Sequence, residues 1–232
     1  MKKLNSAIIA AGGRGTRFNS DRPKQFLELL GKPIIIHTLE RFEQCAAIDE
    51  IVLVLPAEEL NVFVPIAEAA KFTKLKKIVV GGATRAESVK KGLDAIDGAT
   101  EIVAVHDGAR PLVSAREITK VVERAAETGA ACLVAHVTDT VKTVENGSIT
   151  ATVDRANLRR ALTPQAFRYD ILRRAFDGAD LGEDVTDECS LVERLGIEIA
   201  AVDGDARNIK ITRPEDIVVA EAHLVLLNLE NS

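Results

Sequence analysis

Apolar residues along this chain follow two different spacings. Short continuous apolar runs, such as Ile51–Leu55 and Ala131–Val137, are typical of strands buried on both faces of a sheet. Between such runs, as from Ser114 to Gly129, apolar residues recur every three or four positions, which indicates helices. Strands that alternate with helices imply parallel strands joined by crossover helices. The pattern therefore predicts an α/β fold, a Rossmann-like and mostly parallel sheet flanked by helices.

The predicted elements follow one another without a repeat or a linker, so we treat residues 1–232 as one domain. Strands are predicted at Ala7–Ala11, Ile51–Leu55, Ile78–Val80, Glu101–Val105, Ala131–Val137, Ile197–Val202 and Asn208–Thr212. Helices are predicted at Pro33–Gln44, Ala57–Phe72, Thr84–Ile96, Ser114–Gly129, Tyr169–Phe176, Thr186–Leu195 and Thr212–Leu227, and a turn at Leu162–Gln165.

One segment departs from the α/β pattern. Thr140–Val144 and Ser148–Val153 alternate small or apolar residues with polar ones, and Asn146 and Gly147 stand between them. Asn-Gly between alternating runs is a strong β-hairpin signal. A lone hairpin is only marginally stable in water, so this one must lie on its parent domain or on a second copy of the chain. We define residues 138–160 as the hairpin arm.

Composition and charge exclude several classes of function. The chain has a net charge of −5 and only 3% aromatic residues, whereas nucleic-acid binders are usually basic and carry stacking aromatics. Its three cysteines lie far apart without a C-x-x-C pair, which argues against a thiol zinc site and fits a reducing cytoplasm. The first apolar run is too short for a signal peptide, and no run approaches the length of a membrane span.

The segment from Ala10 to Gln25 carries the strongest chemical signal. Glycines let backbone N–H groups turn toward a ligand, and cationic side chains beside them neutralise phosphate. The dinucleotide-binding fingerprint fails here, because Phe18 stands where its third glycine should be, which excludes a nicotinamide-dependent oxidoreductase. The G-x-x-x-x-G-K-[ST] loop fails too, since Arg17 stands at its second glycine. The segment contains Gly12, Gly13, Gly15, Arg14, Arg17, Arg22 and Lys24.

Two more strand ends carry candidate ligand groups. Gly81 and Gly82 follow a strand and precede a helix N-terminus, an arrangement that suits an anion or a polar ligand. Asp107 follows another strand directly, and ligands bind outside the carboxyl ends of strands in open parallel sheets. Mg²⁺ needs only one or two carboxylates together with phosphate oxygens, so Asp107 is a candidate metal ligand. Asp187 and Glu188 open a helix, where acids suit the helix dipole.

Nine short motifs now stand in order from Ala10 to Ile217. Together they resemble the 2-C-methyl-D-erythritol 4-phosphate cytidylyltransferase family of the non-mevalonate isoprenoid pathway, and its near relative ribitol-5-phosphate cytidylyltransferase. The resemblance implies a homodimer that uses CTP and a divalent ion such as Mg²⁺, with a hairpin arm that reaches over the partner subunit and helps close its active site. The motifs are AAGGRGTRF, PKQF, GGATRAES, VHDGARP, DTVKTV, TVDR, ALTPQAF, TDECS and NIKITRPEDI.

The resemblance also implies roles for individual residues. Arg17 and Lys24 would stabilise charge on the triphosphate in the transition state, and Asp107 would contact metal and substrate. Arg155 and Lys210 would position the phosphate of the sugar alcohol. The substrate site would also include Arg110, Thr140 and Thr163, and the CTP site would be lined by Ala10, Ala11, Gly12, Gly13, Arg14, Gly15, Gly82, Ala83 and Ser88.

The expected reaction is attack by a substrate phosphate oxygen on the α-phosphorus of CTP, with release of pyrophosphate. The nucleophile is already an anion at neutral pH, so no general base is required, and the sequence contains no nucleophile–His–acid arrangement. Two alternatives stay open at this point. Ribitol 5-phosphate is the nearest rival acceptor, and a non-catalytic nucleotide-binding domain is a rival of another class.

Overall fold

A computed structural model of the protein describes residues 3–12, 26–182 and 184–230. Its strands are β1 (Leu4–Ala10), β2 (Glu28–Leu29), β3 (Lys32–Pro33), β4 (Glu50–Leu55), β5 (Leu75–Val80), β6 (Thr100–Asp107), β7 (Ala130–His136), β8 (Val141–Glu145), β9 (Ser148–Val153), β10 (Arg159–Arg168) and β11 (Ala200–Asp203). Its α-helices are α1 (Ile34–Gln44), α2 (Leu60–Ala70), α3 (Arg85–Asp94), α4 (Ala115–Thr128), α5 (Tyr169–Phe176), α6 (Glu188–Glu193) and α7 (Pro214–Glu230).

A seven-stranded sheet in the order β11-β7-β10-β6-β1-β4-β5 organises the described chain. Adjacent strands of this sheet pair in parallel, except that β10 runs antiparallel to both of its neighbours, β6 and β7. Successive residues of β1 face opposite sides: Ile9 joins the core cluster that contains Phe42 of α1 and Val121 of α4, whereas Ile8 joins the cluster that contains Leu93 of α3. Helices thus cover both faces, which explains why the strands are continuously apolar.

The sheet brings several strand ends to one edge. In register, Ala10 at the end of β1 pairs with Val54 of β4 and Asp107 of β6. Because β10 runs the opposite way, its residue Thr163 lies at this same edge, where its hydroxyl accepts a hydrogen bond from the backbone N–H of Asp107 at 3.2 Å. Loops from both the parallel and the antiparallel strands therefore meet beside Asp107.

Two of the predicted elements are wrong. Asn208–Thr212 is not a strand; the N–H of Ile211 donates to the carbonyl of Ala109, outside any ladder. Leu162–Gln165 is not a separate turn but an irregular part of β10, where the pairing register with β7 shifts. Short apolar runs resemble strands locally, and only their neighbours in the fold decide whether a ladder forms.

The hairpin arm contains a two-stranded sheet of its own, formed by β8 and β9. Asn146 and Gly147 have φ of 50° and 79°, and Glu145 pairs with Ser148 across them, as expected of a two-residue hairpin turn. The hairpin prediction is therefore confirmed. Among the residues that the structure describes, no helix is both long and apolar enough to cross a membrane.

Candidate active site at the carboxyl ends of the strands

Asp107 lies at the centre of a group of cationic side chains. Its Oδ1 is 3.1 Å from Nε of Arg85, and its Oδ2 is 3.1 Å from Nε of Arg110 and 3.0 Å from Nζ of Lys210. Burial raises the pKa of Asp107, but the attraction of the three cations outweighs burial and holds the pKa well below its usual range. The carboxylate is therefore ionised at neutral pH and can orient the cations around it.

A chain of hydrogen bonds fixes the loop that carries Asp107. His106 is fully buried, and burial lowers its pKa to about 4, so the ring is neutral at pH 7. Its Nε2 lies 3.0 Å from the carbonyl of Arg110 and must donate, which leaves Nδ1 as an acceptor. The hydroxyl of Thr163 then donates to Nδ1 at 3.0 Å and accepts from the N–H of Asp107. Thr163 thus holds the loop in place with its hydroxyl proton already engaged.

Asn208 joins the loop of Lys210 to the same framework. Its side chain is fully buried and donates through Nδ2 to the carbonyl of Thr163 at 2.9 Å. Its own carbonyl accepts a hydrogen bond from a guanidinium nitrogen of Arg110 at 2.8 Å. Two residues further on, Lys210 reaches Asp107. The loop after β11 is therefore anchored on both β6 and β10.

Arg85, at the start of α3, links Asp107 to a second buried carboxylate. Its two terminal nitrogens lie 2.6 and 3.0 Å from the oxygens of Glu188, which is fully buried, while its Nε contacts Asp107. Glu188 is itself fixed, because the side-chain oxygen of Gln165 accepts from the backbone N–H groups of Glu188 and Cys189, both at 3.1 Å. Among the residues that the structure describes, the three cations and two carboxylates of this cluster sum to one net positive charge, which suits an anion.

A glycine cradle lies at the ends of β1 and β5. The hydroxyl of Ser88 accepts from the N–H of Gly82 at 3.0 Å and donates to the carbonyl of Thr84 at 2.9 Å. A Cβ on Gly12 would lie 2.8 Å from this hydroxyl, and one on Gly81 would lie 2.7 Å from it. Only glycine therefore permits these two loops to approach so closely over the end of β4.

The structure brings some of the predicted site residues together. Asp107, Arg110, Thr163 and Lys210 meet in the cation cluster. Six of the residues predicted to line the CTP site lie close together beside the adjacent ends of β1 and β5, and their role stays a prediction: Ala10, Ala11, Gly12, Gly82, Ala83 and Ser88. Gly13, Arg14, Gly15, Arg17 and Lys24 lie outside the described residues.

Two further predicted residues lie apart from the cluster, on the arm. Thr140 is exposed just before β8, and Arg155 is exposed just after β9 and donates to the carbonyl of Thr138. Arg85 and Glu188 were not predicted as site residues. Each stands at a helix start, where a polar residue is expected without any role in a site. Their one signal is the presence of both in motifs of the family pattern, GGATRAES and TDECS.

Comparison with known proteins identifies the family of this chain. The protein-family model of 2-C-methyl-D-erythritol 4-phosphate cytidylyltransferase (IspD) matches residues 6–225. The chain belongs to this family. A cytidylyltransferase of this name from Syntrophus aciditrophicus is 43% identical over 229 residues, covering 97% of each chain, and one from Bacillus licheniformis is 44% identical over 218 residues, covering 94% of each.

A solved structure extends the likeness to the fold. The 4-diphosphocytidyl-2C-methyl-D-erythritol synthase from Anaerococcus prevotii superposes with a TM-score of 0.83 at 31% identity, covering 96% of this chain and 98% of its own. The fold class and the nucleotidyltransferase class predicted from the sequence are thereby confirmed for this cytidylyltransferase family member.

Proposed function

We propose that this protein transfers CMP from CTP to 2-C-methyl-D-erythritol 4-phosphate, giving 4-CDP-2-C-methyl-D-erythritol and pyrophosphate. The observation that carries the proposal is the cation cluster around Asp107, which lies beside a glycine cradle at one edge of the sheet. The acceptor in the names of its relatives supports the same substrate. In this arrangement the glycine cradle takes the nucleotide, and the cations take the phosphate of the acceptor.

Charge is the main obstacle that such a reaction must overcome. Two like charges 4 Å apart repel by about 1 kcal/mol in water and about 4 kcal/mol near a protein surface. Arg110 and Lys210 offset this repulsion at the acceptor phosphate, and Asp107 keeps both in place. In the proposed step an acceptor phosphate oxygen bonds to the α-phosphorus of CTP. The bond from that phosphorus to the bridging oxygen breaks, and its electron pair leaves with pyrophosphate.

A divalent ion stays a prediction, but the contacts of Asp107 argue against this carboxylate as its resident ligand. The residues present do not fit a resident metal site, because both oxygens of Asp107 already contact cationic side chains. Within residues 3–12, 26–182 and 184–230, no group of three His, Cys, Asp or Glu side chains could hold a metal. In the proposal a divalent ion enters with CTP and is carried by its phosphates, where Mg²⁺ commonly binds.

Assembly and location complete the proposal. The chain acts as one domain, residues 1–232, in a cytoplasmic homodimer. The arm, residues 138–160, contacts the partner and brings Thr140 and Arg155 to the partner's site. Support for the dimer comes from the arm itself, where Val144 and Ile149 are 60% and 67% exposed although they are apolar and face each other across the hairpin. Support for the cytoplasm comes from three cysteines that are free and buried.

The test is pyrophosphate release by the purified protein with CTP and Mg²⁺, with 2-C-methyl-D-erythritol 4-phosphate and ribitol 5-phosphate as separate acceptors. We expect release with the branched acceptor. Release with ribitol 5-phosphate alone would assign the protein to the other acceptor with the same chemistry. CTP binding without release from either acceptor would contradict catalysis and favour a nucleotide-binding domain.

A further inference from the structure

We propose that Glu188 is a positioning residue for the acceptor side of the site, acting through Arg85 and Asp107. Within residues 3–12, 26–182 and 184–230, Glu188 contacts none of the groups assigned to substrate. It holds Arg85 by two hydrogen bonds, Arg85 holds Asp107, and Asp107 holds the cations of the acceptor site. This inference rests on the proposed function, because it takes Arg110 and Lys210 as ligands of the acceptor phosphate.

The geometry of Arg85 carries the argument. A guanidinium is a planar fork whose donors point in fixed directions, so holding two of its nitrogens also fixes the third. Glu188 takes both terminal nitrogens, which leaves Nε aimed at Oδ1 of Asp107. The other oxygen of Asp107 is thereby turned toward Arg110 and Lys210. A lysine at position 85 has a single charged nitrogen and could not hold both carboxylates in this way.

The sharing of the Arg85 guanidinium between Glu188 and Asp107 leads to the same conclusion. Arg85 divides its hydrogen-bond donors between two carboxylates, so only its Nε is directed at Asp107. Without the charge of Glu188, Arg85 would turn fully to Asp107 and compete with Lys210 for that carboxylate. The cations of the acceptor site would then lose their fixed position, although every group that touches substrate would still be present.

The support beneath Glu188 is rigid, as a positioning role requires. Gln165 is buried in β10 and binds two backbone N–H groups at the start of α6, while its Nε2 donates to Asp187 at 2.8 Å. Asp187 in turn caps α6 by accepting from the N–H of Ser190 at 3.0 Å. Gln165 is two residues from Thr163, which holds the Asp107 loop. One strand therefore fixes both ends of the path from Glu188 to Asp107.

The test compares Glu188→Gln with wild type in the pyrophosphate assay, at a temperature where circular dichroism shows both to be folded. We expect kcat/KM to fall about tenfold to a hundredfold, the loss typical when a supporting partner of a site residue is removed. The KM for the acceptor should rise more than the KM for CTP, because the change acts on the acceptor cations. Equal changes in both KM values, or a kcat/KM within threefold of wild type, would overturn the proposal.

Two further variants separate positioning from stability. Arg85→Met with Glu188→Leu removes both charges, and replacing a buried ion pair by apolar residues is often neutral for stability. We expect this double variant to be more thermally stable than Glu188→Gln, while its kcat/KM stays as low. If kcat/KM recovers together with the stability, the proposal is overturned. If Glu188→Gln does not fold, Arg85→Lys replaces it as the test variant. We again expect the KM for the acceptor to rise more than the KM for CTP.

The matched control is Glu50→Gln, a carboxylate that accepts a hydrogen bond from Ser6 at 2.6 Å at the opposite, amino end of the strands. It should leave both KM values unchanged.

Wild type in the same assay tests the proposed function by itself. If wild type turns over neither acceptor, the affinity for inorganic phosphate, measured by calorimetry, replaces KM. Glu188→Gln should then weaken phosphate binding and Glu50→Gln should not; equal binding by both variants would overturn the inference.

Discussion

The cation cluster and the hairpin arm are two opposite ways of presenting functional residues. Asp107 is 5% exposed, and its partners come from its own loop, from α3, from β10 and from the loop after β11. Val144 and Ile149 of the arm are more than half exposed and pair mainly with each other across a local turn. The contacts that fix the cluster come from within the chain, whereas the apolar side chains of the arm are left largely uncovered by the described residues.

This difference indicates where precision and where adaptability are needed. Cations that stabilise a transition state must be held to a fraction of an ångström, and buried networks provide that order. The closure proposed for the arm over a second subunit would need only a defined turn and an apolar surface. Changes in the cluster should therefore affect chemistry strongly, and changes in the arm should affect assembly first.

The largest effect is expected from Lys210→Ala. Lys210 is half-buried and contacts Asp107 at 3.0 Å, so its loss removes a cation from the acceptor site without opening the core. Loss of one such contact to transition-state charge typically lowers turnover about 10²–10³-fold. Steady-state pyrophosphate release measures the effect. Lys90→Ala is the matched control, since Lys90 contacts Asp94 at a partly exposed ion pair on α3; comparable losses in both variants would contradict the role of Lys210.

Lowering the pH should reduce the free energy of unfolding, because His106 is buried in its neutral form. Burial lowers the pKa of His106 to about 4 from its ordinary 6.5, so between these values the unfolded chain binds a proton that the folded chain does not. This contribution to stability is complete above pH 6.5 and is lost as pH falls toward 4, by about 3 kcal/mol in all. Denaturant unfolding at a series of pH values measures it.

His106→Asn provides the comparison for that pH series. Asparagine does not titrate in this range, so the difference in stability between wild type and variant should narrow as pH falls from 6.5 to 4. A constant difference between wild type and His106→Asn across the range would show that His106 is not the buried neutral group described here.

Local patterns in the sequence predicted one part of the site and not the other. The strands, the hairpin turn and the place of Asp107 at a strand end each depend on a few consecutive residues. The pair of Arg85 and Glu188 joins residues 103 positions apart, and only the packing of α6 on β10 brings them together. Glu188 was interpreted as a favourable charge at a helix start, a role that any acid could fill.

A smaller effect is expected from changing the apolar pair of the arm. Val144→Thr with Ile149→Thr keeps the branched side chains that favour strands but removes apolar surface. If a second copy covers this pair, association should weaken about tenfold to a hundredfold, a loss of about 1.4–3 kcal/mol. Sedimentation across a dilution series measures the change. Val218→Thr, at a position of α7 that is 69% exposed, is the control; an unchanged dimer in the arm variant would show that the arm does not form the interface.

The smallest effect is expected from Gly147→Ala in the turn of the arm. Gly147 has a φ of 79°, a conformation that costs an alanine about 1–3 kcal/mol. Apart from its chain neighbours, no atom of the described residues would lie within 4 Å of an added Cβ, so backbone strain is the expected cause. Because β8 and β9 form a sheet separate from the seven-stranded one, the strain should raise hydrogen exchange in the arm and leave the exchange of β1 and β6 unchanged. Faster exchange in the central strands as well would mean that the arm and the sheet unfold as one unit, and the contrast between the two regions would then fail.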